Sequence, residues 1–297
     1  MNRTYIEYIF LIFGVLLIYT TMPTSIIIQD NQNYYDLAKD VVIFDEIRKI
    51  PFYLFTSGPN YFSSVVFLVV NWVLGHLPFE FFRLLWTFTT FLGLIYSINK
   101  IVNKNITIYI IPSINFFILI AYGWRQTLAI TFYALFRGRS FVFNVIKLMI
   151  IGLGIHWSIL FFIINEFVET NRLRNSKFVI IIISATFGYM LTEFSSLSRG
   201  EDKTPALLAL MNLLIVFVTP IITNSKLELK DNTVAMITLW TVLLINGVGT
   251  SQMYRLLPMS TILVYKDIEK VNNRFIMLQG IQLLLFTVFY TRRIILG

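Results

Sequence analysis

The sequence predicts an all-α polytopic membrane protein, and three observations carry that expectation. The 297 residues are 57% hydrophobic and 13% charged, and the mean hydropathy of +0.73 is far above that of a soluble globular domain. Apolar runs long enough to cross about 30 Å of hydrocarbon recur along the whole length. Strand-type alternation of apolar and polar residues is absent, and lipid leaves an unpaired backbone few options other than helix.

Candidate segments fall at 5–22, 61–77, 80–98, 106–122, 125–137, 140–155, 157–168, 177–193, 206–223, 233–250, 254–266 and 275–291. Several are too short to cross untilted, so the expectation is about 10–12 transmembrane or re-entrant helices. No soluble domain of ordinary size fits between the runs, which makes 1–297 a single transmembrane domain. The first run, Tyr5 to Met22, is preceded only by Arg3 and lacks a small-residue cleavage site, so it reads as a retained helix. Residues 23–60 form the longest polar stretch. Its "DNQNYYDLAKDVVIFDEIRK" carries five acids and three bases, which suits an external loop, and the partly amphipathic Leu37 to Phe55 suits a helix lying on the membrane surface or roofing a cavity. Internal repeats of the transporter kind are not visible.

The net charge of +8 comes in short clusters beside apolar segments, which is how orientation signals are distributed and argues against nucleic acid as a partner. Positive-inside counting puts Arg137/Arg139, Arg172/Arg174/Lys177, Lys226/Lys230 and Lys266/Lys270/Arg274 in the cytoplasm. His156, Phe194 to Pro205 and Gly249 to Arg255 then face outward, and so does Arg125. With Arg3 inside, simple alternation of the first four segments would instead put Arg125 inside, so one of those four is expected not to cross fully. The chain has no cysteine and two histidines, which removes disulfides, thiolate chemistry and a histidine-rich metal site. P-loop, HExxH and GxSxG motifs are missing, as is a paired acidic metal cluster.

Arg125 is the only ionisable charge between Lys104 and Arg137, and Arg255 the only one between Asp231 and Lys266. A guanidinium at membrane depth costs several kcal/mol unless it reaches an interface, a cavity or a partner. Snorkelling at a helix end is the plain reading, and anion binding in a cavity is the functional one. The planar fork of arginine matches a diphosphate by two parallel hydrogen bonds. Gln126 adds an amide beside the first fork, and Ala129, one turn later, would admit a neighbouring helix closely. His156, in "GLGIHWSILFF", can exchange a proton near neutral pH and is the candidate general base. His76 reads as structural, Lys147 as snorkelling toward the cytoplasm, and Glu80 with Arg83 as a local pair. Asp30, Tyr35 and Arg199 are candidate substrate contacts, through carboxylate, aromatic and cationic groups respectively.

The order of these features resembles a known family. An acidic, tyrosine-bearing loop (Asp30 to Tyr35), then "WRQTLA" (Trp124 to Ala129), basic "RGR", "IGLGIHWSIL" (Ile151 to Leu160) and "YRLLPM" (Tyr254 to Met259) are similar to the EpsG family of Wzy-type polysaccharide polymerases. The resemblance implies a GT-C-like helical bundle in the bacterial inner membrane, with its active site facing the periplasm or exterior. Such an enzyme transfers a growing glycan from undecaprenyl diphosphate to a lipid-linked repeat unit of the O-antigen type, without metal or nucleotide sugar. Arg125 and Arg255 would bind the diphosphate, and His156 would act on the acceptor hydroxyl. The partners implied are the lipid-linked oligosaccharide, membrane lipid and a chain-length regulator. A lipid-linked oligosaccharide flippase or permease would use the same cavity arginines without breaking a bond, and a membrane O-acyltransferase would also want a histidine.

Overall fold

In the computed structural model, residues 35–36, 70, 73–102, 123–169, 177–194, 206–224, 229–248 and 250–296 are described. Among them are nine α-helices and one 3-10 turn. The helices are α1 Phe79–Ile101, α2 Trp124–Phe136, α3 Phe141–Gly154, α4 Phe161–Glu169, α5 Lys177–Phe194, α6 Ala206–Thr223, α7 Asp231–Ile245, α8 Thr250–Tyr265 and α9 Asn273–Leu296. The 3-10 turn, Trp157–Leu160, leads directly into α4. Each helix coincides with an expected apolar segment to within a few residues, apart from two neighbouring boundaries. The expected 233–250 segment stops at Ile245, where Gly247 adopts φ 74°, a left-handed position that suits glycine. Its amide bonds Leu244 O at 3.1 Å and that of Val248 bonds Leu243 O at 3.1 Å, the paired closure of a Schellman motif. The next helix, α8, begins at Thr250, four residues ahead of the expected 254–266 segment, and takes in most of the "GTSQMYR" stretch.

Helix directions follow from which residues meet. Phe82 and Trp86, early in α1, pack on Trp124 at the start of α2, while Ser97 reaches Thr131 further along both helices. These two helices are therefore parallel, and residues 103–122 between them lie outside the described residues. Of the first four expected segments, over which the crossing conflict arises, 5–22, 106–122 and most of 61–77 lie outside the described residues. Helix α3 returns antiparallel to α2, with Lys147 Nζ donating to Phe136 O at 2.7 Å. Helix α4 then runs parallel to α2, since Tyr133 meets Phe162 and Arg137 meets both Glu166 and Glu169. Helix α8 runs antiparallel to α7, with Trp240 Nε1 donating to Ser260 Oγ at 2.7 Å. Its C-terminal end meets that of α4 where Lys266 reaches Asn165 at 2.8 Å.

Close approach depends on small residues, as packing between apolar helices does generally. A Cβ on Gly93 would stand 2.5 Å from Thr131 Oγ1, and that hydroxyl is held in place by donating to Thr127 O at 2.8 Å. Gly188 plays the same part between α5 and α7, where a Cβ would meet Val242 Cβ at 3.2 Å and Leu239 O at 3.3 Å.

The described basic clusters collect at one end of the bundle, where side chains knit the helices together. Glu166, only 5% exposed, accepts from Arg137 Nε at 2.8 Å, from Asn144 Nδ2 at 2.8 Å and from the Tyr133 hydroxyl. Asn144 also brackets the α2–α3 loop, accepting from Gly138 N at 2.8 Å and donating to Gly138 O at 3.0 Å. Glu169 joins Arg137 to Lys266. Nearby, the Asp267 carboxylate caps the start of α7, accepting from Thr233 N and Thr233 Oγ1, each at 2.7 Å, and from Asn232 Nδ2 at 2.9 Å. Burial pushes the Asp267 carboxyl above its usual range, and the Thr233 and Asn232 hydrogen bonds pull it part of the way back.

One described helix, Phe79–Ile101, is long and apolar enough to cross a membrane, and five shorter apolar helices accompany it. Apolar faces stay uncovered, including Phe81, Leu84 and Phe88 of α1 and Val142, Phe143 and Ile150 of α3.

Candidate functional site

Opposite the basic clusters lies the end that carries the isolated cations. Arg125 is the second residue of α2, and an aromatic stack anchors the helix start beneath it. Trp124, fully buried, lies parallel to Trp86 with centroids 5.6 Å apart and meets Phe82 edge-on at 5.9 Å. Phe82 in turn contacts Tyr35 at 5.2 Å. Burial of so much rigid aromatic surface fixes the first turn of α2 and hence the root of the Arg125 side chain. The guanidinium-bearing residue itself is half-buried. It stands roughly 12 Å along the helix from Tyr133 and the Glu166 network.

Its neighbours divide into those turned into the protein and those that share its end. Gln126 is 3% exposed and Ala129 fully buried, so α2 turns this amide and the small residue toward protein. Tyr35, 6% exposed, donates its hydroxyl to Leu77 O at 2.9 Å and acts in this arrangement as a clamp on the chain before α1. Arg83 also occupies this end. It pairs with Glu80 at 2.7 Å, the local pair expected from their spacing, and lies 6.0 Å from the Phe79 ring centroid. His76, also at this end, is exposed.

His156 arises where α3 stops. Gly152 allows the chain to fold back, since a Cβ there would meet Leu160 Cδ2 at 2.8 Å. Ile155 N closes the helix on Ile151 O at 2.8 Å, and His156 then becomes the N-cap of the 3-10 turn with φ −161° and ψ 124°. Its Nδ1 accepts from Ser158 N at 3.2 Å and lies 2.7 Å from Ser158 Oγ. The ring is half-buried and Ser158 fully so.

Arg255 is in the second turn of α8, between the buried Met253 and Leu256, and its side chain lies outside the described part. Three residues on, Pro258 interrupts the helix and has no amide to meet the carbonyl of Tyr254, which leaves a polar group of the backbone to be satisfied beside Arg255. Asp30 and Arg199 lie outside the described residues, as does most of 23–60.

The parallel run of α2, α4 and α8 therefore brings the backbone positions of Arg125, His156 and Arg255 to one end of the bundle, although they are far apart in sequence. The 3-10 turn packs against both α2 and α8. Sequence reasoning passed over Ser158 as an actor, although His-x-Ser is a spacing at which a side chain meets the amide two residues on. It also passed over Glu166 and Asp267, whose partners lie on other helices. No family model, curated protein or solved structure matches this chain.

Proposed function

We propose that the chain is a multi-pass polysaccharide polymerase of the bacterial inner membrane, moving a growing glycan from undecaprenyl diphosphate to a lipid-linked repeat unit. The observation that carries this reading is the gathering of Arg125, His156 and Arg255 at one end of the bundle from three separate stretches of chain. Two guanidinium groups suit a lipid diphosphate, and fixed cations in a site poor in water offset charge that develops on the leaving group. The positive end of the α2 dipole lies beside Arg125 and adds to the same field. His156 supplies the nitrogen chemistry that would hold the acceptor hydroxyl.

The membrane setting is supported by the uncovered apolar faces of α1 and α3 and by the basic clusters at the far end, which fit a cytoplasmic surface. That orientation leaves the Arg125 end to the periplasm or exterior.

A deletion strain carrying the wild-type gene or Arg125→Ala tests the reading. Polymerase activity predicts loss of the long-chain glycan ladder with a single-repeat band surviving in the variant. Loss of the single repeat as well would point to flipping or to synthesis upstream. Purified wild-type protein given only lipid-linked repeat units should lengthen them, and a folded sample that does not would overturn the proposal.

A further inference from the structure

The imidazole of His156 is gripped on its Nδ1 side by the turn that follows it. Ser158 N–H points at Nδ1 from 3.2 Å, and Ser158 Oγ is 2.7 Å from the same nitrogen. Ser158 is fully buried, and the extended backbone of His156 as N-cap sets the ring over that amide. A backbone amide can only donate. A proton on Nδ1 would therefore set two N–H groups against each other across 3.2 Å. An unprotonated Nδ1 accepts from the amide, and the serine hydroxyl can donate to it as well. In the neutral ring the proton then has to be on Nε2.

We propose that Ser158 is a positioning residue that fixes His156 as the Nε2–H tautomer, so that His156 meets the substrate as a hydrogen-bond donor rather than as a proton acceptor. The tautomer follows from the turn alone, whereas its use on an oxygen of the lipid-linked substrate rests on the polymerase reading. A general base needs its lone pair on the substrate side. Here the lone pair of Nδ1 is turned into the 3-10 turn, so a bond from Nε2 to an oxygen is a donated one.

Two measurements test the two halves separately. The chain has two histidines, so full-length His76→Gln protein labelled with nitrogen-15 histidine, in lipid nanodiscs, contains one imidazole signal set. Its shifts at neutral pH should report the Nε2–H tautomer. In Ser158→Ala, which keeps the amide and loses the hydroxyl, the Nδ1–H fraction should rise about five-fold, the equivalent of one ordinary neutral hydrogen bond. A wild-type Nδ1–H tautomer would overturn the proposal, and an unchanged tautomer balance in Ser158→Ala would remove Ser158 from it.

For the substrate half, elongation of purified lipid-linked repeat units is compared across substitutions. Gln places an amide N–H near the position of Nε2 and Asn places one near Nδ1. His156→Gln should retain at least a tenth of wild-type elongation, while His156→Ala and His156→Asn fall about a hundred-fold. Equal loss in all three, with an active wild type, would sink the donor role. An inactive wild type would instead remove the polymerase reading and leave the tautomer result standing.

Discussion

The two ends of the bundle are built on different rules. At the basic end, every charge described in the Glu166 and Glu169 network has a partner on another helix, and Asn144, Asn165 and Asp267 extend the bonding from one helix to the next. At the opposite end, Arg125 and Arg255 are single charges in apolar sequence, and His156 spends one nitrogen on its own turn. Buried charge that is paired and hydrogen-bonded across helices holds a structure together, while an isolated charge in apolar sequence is a functional hypothesis by default. One end is therefore a clamp, the other is where the proposed site lies, and substitutions should separate them.

The largest effect expected is on stability at the clamp. Glu166→Ala takes away the partner of Tyr133, Asn144 and Arg137 together. A loss of about 3–5 kcal/mol is expected, read as a lower unfolding midpoint in detergent, with elongation per folded molecule retained. Arg125→Ala should do the reverse. Its elongation rate should fall about a hundred-fold or more, while the unfolding midpoint shifts by less than about 1 kcal/mol equivalent. If both variants lost stability and activity in proportion, the division between the two ends would fail.

A substitution between the ends sharpens the comparison. Gly93→Ala drives a methyl into the Thr131 hydroxyl and should cost about 1–3 kcal/mol. Because α1 and α2 are parallel and share the aromatic stack at Trp124, the same change should also reduce elongation modestly. Full wild-type stability in Gly93→Ala would show that the two helices can part without loss.

The smallest effect concerns pH at the clamp. The Asp267 carboxyl is pushed up by burial, so the native protein holds that proton more tightly than the unfolded chain does. Stability from this group is then fully present below the unfolded carboxyl value, about 3.9, and declines as pH rises through the raised native value. The unfolding midpoint of the wild type, compared with Asp267→Asn, should be relatively highest at low pH and lose ground as pH rises. A gap that widens with rising pH would mean that the Thr233 and Asn232 hydrogen bonds outweigh burial.

Sequence alone determined where the helices lie and which end carries the cations. Residues 206–223 are helical over the span expected, and the basic clusters share one end, because hydropathy and charge act on each residue through its solvent and need no knowledge of a partner. Local pairs such as Glu80 with Arg83 were legible for the same reason, since three residues of helix bring them together. The stop at Ile245 was missed because a glycine turn inside an apolar run leaves hydropathy unchanged. Only the tertiary structure decided that α1 and α2 run parallel, that Glu166 serves Arg137, and that the turn after His156 packs against both α2 and α8. Those outcomes depend on the shapes of packed surfaces, with Gly93, Gly152 and Gly188 permitting approach, and shape is a property of pairs of helices rather than of any one segment. The proton on Nε2 of His156 belongs to the same class, decided by where one backbone amide points.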